Sequence, residues 1–264
     1  MIINPIIPIW AMAIICILLL VIKRRGKWPF IRQIMIVVLL FVINLRFMFP
    51  GEQLEGSAEG TEMNVLFVVD NTISMLARDF GDKNTERLEA VYADCEYITK
   101  KLDGAKFSVI TFANTANIIA PFTDNTEYIN SVIGGIYPID ELYARGSSLN
   151  TPIDAIKTFL EDNDDKAKKF AIFFISDGEI TDESKLESYS GLSDLIYGGA
   201  VLGYGTDKGG EMYLQSYSAT KPEKITTFEN GREVAAISRI DETNLKQKAS
   251  DLGISYVNMN NRNG

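Results

Sequence analysis

Two short runs of oxygen-bearing side chains stand out in a 264-residue chain that contains no histidine. The first, Asp70, Asn71, Thr72, Ile73 and Ser74, sets a carboxylate and two hydroxyls at alternate positions. The second is Ser176, Asp177, Gly178 and Glu179, and a third source of oxygens is the SSLNTP stretch from Ser147 to Pro152. A loop leaving a strand can turn such oxygens toward one point. A hard cation such as Mg²⁺ takes oxygen ligands in octahedral array and readily keeps waters. The same residues also serve a plainer purpose, because Asp, Ser and Thr at strand ends and helix starts cap and turn the backbone. Spacing alone leaves both readings open.

The elements that must position these groups follow from periodicity. Residues 64–69 and 169–176 are nearly continuous apolar runs, each ending at an aspartate, as buried parallel strands do. Ligands of open α/β sheets bind beyond the carboxyl ends of the strands, where Asp70 and Asp177 would converge. Residues 86–102 carry Leu88, Val91, Cys95, Ile98 and Leu102 at helical spacing, so Cys95 lies on a buried face. Residues 106–113 and 116–122 read as a hairpin that adds an antiparallel edge. Short helices are expected over residues 125–133 and 151–160, the latter with Thr151 as cap and Pro152 at its first position. A strand over 194–202, a helix over 241–252 and a strand over 255–258 complete the series. Together they predict an α/β fold: an open, mostly parallel sheet with helices on both faces.

Composition removes several function classes. Without histidine the chain lacks the commonest neutral-pH base and the commonest zinc ligand. A core-facing Cys95 with no imidazole beside it is no catalytic nucleophile, and Cys16 and Cys95 build no disulfide framework. Residues 51–264 hold all 35 acidic residues against 20 basic ones, a formal charge of −15. Such a surface repels nucleic acid and attracts cations or basic partners. The GYGTDKGGE segment at residues 203–211 lacks the spacing and the Lys-Ser/Thr ending of a phosphate loop and reads as a glycine-rich turn.

Residues 1–50 differ, with no acid and six bases. Residues 2–22 and 30–49 read as two transmembrane helices, with Lys23, Arg24, Arg25 and Lys27 in the cytoplasmic loop between them. The expected organisation is a membrane hairpin over 1–50, a linker over 51–62 and a globular domain over 63–260. The expected placement is multi-pass in a cell membrane with the domain outside.

The run from Asp70 to Ser74 resembles the Asp-x-Ser-x-Ser core of the metal-ion-dependent adhesion site (MIDAS) of von Willebrand factor A (vWA) domains, with Thr72 in place of the first serine. Thr151, in a TPIDAI context, resembles that family's threonine, and Asp177 matches the aspartate of its Thr/Ser-Asp-Gly-Glu motif. The likeness covers residues 63–258, and the order of features is similar to bacterial Bat-type (aerotolerance-operon-like) members. It implies the vWA fold and a metal site of Asp70, Thr72, Ser74, Thr151 and Asp177, with Ser148 as an alternative to Thr151. Mg²⁺ is the implied ion, with Mn²⁺ or Ca²⁺ as substitutes. The expected function is Mg²⁺-bridged recognition of an Asp or Glu on a protein partner in the membrane or envelope, without catalysis. Two other readings stand beside it. One is a structural vWA module whose metal site does not function, and the other is metal-assisted hydrolysis with Asp177 or Glu179 activating water.

Overall fold

The computed structural model describes residues 2–3, 12, 16, 18–20, 27–45, 47–48, 62–138, 148–164, 168–182, 184–215 and 221–261. The chain divides into two compact units, Met1–Glu55 and Gly56–Gly264.

In the first unit, β1 (Ile2–Ile3) pairs antiparallel with β2 (Phe47–Met48), and α1 (Lys27–Leu45) lies between them in sequence. Met12, Cys16 and Val37 form a small buried cluster against Phe41. Among the described residues no helix is long and apolar enough to cross a membrane. This overturns the expected pair of transmembrane helices, and with it the multi-pass membrane placement. The physical reason lies in α1, whose 19 residues span about 28 Å. Arg32 and Gln33 interrupt it, and its unbroken apolar stretch, residues 34–43, falls well short of a spanning segment. Most of the 2–22 span, like the 51–62 linker apart from Glu62, lies outside the described residues.

The second unit is built on β3 (Glu62–Asp70), whose apolar residues point alternately to the two faces of a sheet. After β3 come a short ribbon, β4 (Arg78–Phe80) with β5 (Thr85–Glu86), and then α2 (Arg87–Lys101). The edge hairpin follows as β6 (Lys106–Phe112) and β7 (Ala116–Thr123). Helices α3 (Thr126–Gly134) and α4 (Ile153–Asp162) precede β8 (Lys168–Ser176) and β9 (Ile196–Gly203). A run of short strands comes next: β10 (Gly210–Glu211), β11 (Tyr213–Leu214), β12 (Glu223–Lys224), β13 (Thr226–Glu229), β14 (Arg232–Ala235) and β15 (Ile237–Ser238). Helix α5 (Glu242–Leu252) and β16 (Ser255–Asn258) complete the unit.

The six-stranded sheet has the order β16-β9-β8-β3-β6-β7, parallel throughout except where β6 meets β7. One face buries Val65, Phe67, Val69 and Phe107 against α2 and α3. The other buries Leu66, Val68, Ile172 and Phe174 against α4 and α5. This sheet, with helices on both faces and one antiparallel edge, is the expected one. A local expectation fails at α4: Pro152 occupies the cap position, no side chain caps the helix, and the Thr151 amide bonds the Ser148 carbonyl in a preceding turn. At α5 the Asp241 carboxylate accepts from the Thr243 and Asn244 amides, a full side-chain cap.

Phe67 is the centre of the first core, its ring stacked 5.9 Å from Phe107 and 5.8 Å from Phe173. Phe67→Ala is expected to cost about 3–5 kcal/mol in urea denaturation. Phe228→Ala, at a side chain 77% exposed, is expected to change stability by less than about 0.5 kcal/mol. Equal effects would contradict this assignment of the core.

Candidate functional site

Neighbouring strands β3 and β8 deliver Asp70 and Asp177 to the same end of the sheet, and both side chains are buried. Oδ1 of Asp70 accepts from the Thr72 amide (2.9 Å) and the Thr72 hydroxyl (2.7 Å), while Oδ2 accepts from the Ser176 hydroxyl (2.7 Å). The Ser74 hydroxyl lies 2.7 Å from that of Thr72. Burial, reinforced by the charge of Asp177 and opposed by these hydrogen bonds, pushes the Asp70 carboxyl up to about 7.

Asp177 faces a different partner. Arg87, the first residue of α2, is fully buried, and its Nη1 donates to Asp177 Oδ2 at 2.8 Å. The same guanidinium grips Asp79 with two parallel bonds, Nε to Oδ1 at 2.8 Å and Nη2 to Oδ2 at 2.9 Å. It also donates to the Ser74 carbonyl (3.2 Å), the Ser238 hydroxyl (2.7 Å) and the Ser238 carbonyl (3.0 Å). Five protons in a rigid fork are thereby all engaged. Asp79 also accepts from the Thr206 amide and hydroxyl. Burial alone would raise the Asp79 carboxyl, but the hydrogen bonds and charge of Arg87, with Thr206, hold it below its ordinary range. Gly205 makes the close approach possible: at φ +122° a Cβ there would sit 2.7 Å from Arg87 Nη2. Glu179 turns back to this cluster, accepting from the Ser238 hydroxyl (2.7 Å) and the Arg239 amide (2.9 Å). Its carboxyl is raised by burial and by Asp177.

Of the residues expected to hold an ion, Asp70, Thr72 and Ser74 come together in one hydrogen-bonded loop. Asp177 joins them through Arg87, which also holds the Ser74 carbonyl. Thr151 is engaged elsewhere, its amide donating to the Ser148 carbonyl. Ser148 is engaged with the Ser184 hydroxyl (2.9 Å) and the Asn150 amide. Among the described residues no group of three or more His, Cys, Asp or Glu side chains could hold a metal ion. This overturns the expected MIDAS and the Mg²⁺-bridged recognition built on it. The donor set is already engaged within the protein: the Arg87 guanidinium neutralises Asp177, and Asp70 accepts three hydrogen bonds from Thr72 and Ser176. Hydrolysis has no support either, since Asp177 and Glu179 are both engaged within the protein. Sequence reasoning missed Arg87, Asp79 and Ser238. Arg87 and Asp79 stand only eight positions apart, but nothing in their spacing marks a pair.

Residues 65–179 match the family model described as von Willebrand factor type A domain. Among solved structures, the conserved hypothetical protein BatB from Bacteroides thetaiotaomicron is 22% identical with a TM-score of 0.60, over 76% of this chain and 92% of that one. An aerotolerance-related membrane protein from Bacteroides fragilis is 20% identical with a TM-score of 0.58, over 75% of this chain and 92% of that one. At these identities the likeness is one of fold. No curated protein matches the chain.

Two stability measurements test the electrostatics. The lowered Asp79 carboxyl contributes stability that is present above about pH 4 and lost as pH falls through its folded value. Arg87→Met is therefore expected to cost about 3–5 kcal/mol at pH 7, with the deficit narrowing toward pH 3. A deficit independent of pH would contradict the pairing. Asp70 has the opposite sign: its raised carboxyl keeps a proton in the fold that the unfolded chain releases. Stability should thus fall as pH rises from about 4 to 7. Urea denaturation of Asp70→Asn should show a larger advantage over the parent at pH 8 than at pH 5.

Proposed function

We propose a function from one premise: this chain carries a von Willebrand factor type A domain, of a family that works through protein contact rather than catalysis. On that premise it is a structural, protein-interaction module whose recognition uses no metal ion. The observation that carries this reading is the buried guanidinium of Arg87, 2.8 Å from Asp177 and bidentate on Asp79. A fixed internal cation neutralises the carboxylate that a metal-dependent domain would turn toward its ion. It cannot leave in exchange for a partner's carboxylate, so it offers no open coordination position. Recognition then falls to shape, hydrogen bonding and charge at the protein surface.

Thermal unfolding of the full chain in millimolar Mg²⁺ and in excess chelator tests this. The expected difference in midpoint is less than about 1 °C, whereas an ion present at a hundred times its Kd would stabilise the fold by about 2.7 kcal/mol, a shift of several degrees. A rise of that size that disappears in Asp70→Ala would overturn the proposal. Crosslinked partners recovered from cells should likewise be the same with and without chelator.

A further inference from the structure

We infer that residues 209–214 and 237–238 form a strap latched over the carboxyl end of β8, and that it opens locally without the sheet unfolding. The path of the chain makes this visible. After β9 ends at Gly203, residues 204–241 intervene before α5 begins, against about two to six in an ordinary strand-to-helix connection. The first part of that excursion lies on the loop after β3: Met212 bridges Ala77 antiparallel, and the Arg78 guanidinium stands 4.4 Å from the Tyr213 ring centroid. The returning part supplies Ser238.

Ser238 is the latch. Its carbonyl accepts from Arg87 Nη2, and its hydroxyl meets Glu179 at 2.7 Å and Asp177 at 3.3 Å. Asp177 terminates a central strand, where ligands of α/β sheets bind, yet it is only 1% exposed. Lifting the strap removes Ser238 from both carboxylates and turns them toward water. The strap can lie flat because Gly209, at φ +77°, carries no Cβ; one there would sit 2.4 Å from the Ser238 carbonyl oxygen.

The latch is weak where the sheet is strong. Strand β10 pairs with β15 through two residues and β11 with β12 through two, whereas β3 is paired along nearly its whole length on both sides. Short ribbons of this kind are marginal in water and open at lower free energy than core strands. What the opening would serve, admitting a partner to the sheet end, rests on the reading of the domain as an interaction module. The opening itself does not, and it needs neither metal nor partner to be measured.

Hydrogen exchange read by mass spectrometry on the full chain tests it, with Ser238→Ala and Tyr213→Ala as variants. Tyr213→Ala changes only a half-buried surface side chain, so it reports even if Ser238→Ala folds poorly. Exchange in segments 209–214 and 237–238 is expected to rise at least about fivefold to tenfold, the effect of losing even one hydrogen bond or cation–π contact. Segment 177–180 should follow the strap, and segments 65–69 and 170–175 should not change. Strap and sheet rising together would overturn the inference. So would 177–180 following the sheet, or strap rates unchanged in both variants.

Discussion

A guanidinium buried away from water has to be fully partnered, and the upper end of this sheet is arranged around that requirement. Arg87 enters the core at the first turn of α2. From there it reaches Asp79 eight residues back, Asp177 at the end of a central strand and Ser238 on the far side of the excursion. Removing one member of such a group leaves a charge without compensation, which costs more than the group itself contributes. With the strap closed, the guanidinium ties together loops from separate parts of the chain: the turn after β3, the β4–β5 ribbon, the turn after β8 and the return from β15. Asn260 extends the set, its amide donating to the Asp79 carbonyl and its oxygen accepting from Gly205.

This arrangement separates fold from function. Residues 65–179 match the vWA family model, and the sequence resemblance on which a metal was expected rests on Asp70, Thr72, Ser74 and Asp177. What differs is the occupancy of space and charge. Hydroxyls and amides satisfy Asp70, and an arginine satisfies Asp177, so the constellation closes on itself. A motif names residue types at a spacing; it does not name what stands opposite them. Here the residue opposite Asp177 comes from ninety positions away.

The same distinction governs how far the sequence could be read. Strands β3 and β8 were legible because buried parallel strands are continuous apolar runs. Helix α2 was legible from Val91, Cys95 and Ile98 at helical spacing, and α5 was expected over nearly its observed length, though its Asp241 cap is visible only in the structure. The β13–β14 hairpin carried a usable signal, Asn230–Gly231 at φ 50° and 76°, in a turn that favours this dipeptide, yet its strands are too short and too polar to register as periodic. The Arg87 cluster carried none, because long-range pairing of buried charge leaves no local pattern. The amino-terminal region misled for another reason. In residues 30–49, Arg32 and Gln33 stand where an interface is expected, and the unbroken apolar length left behind them, residues 34–43, is shorter than a bilayer requires.

The most direct test is a crystal structure of the folded domain grown in saturating Mg²⁺. The account predicts that Arg87 stays within hydrogen-bond distance of both Asp177 and Asp79, with no ion between Asp70 and Asp177. An ion coordinated by Asp70, Thr72 and Ser74, with the guanidinium turned away from Asp177, would contradict it.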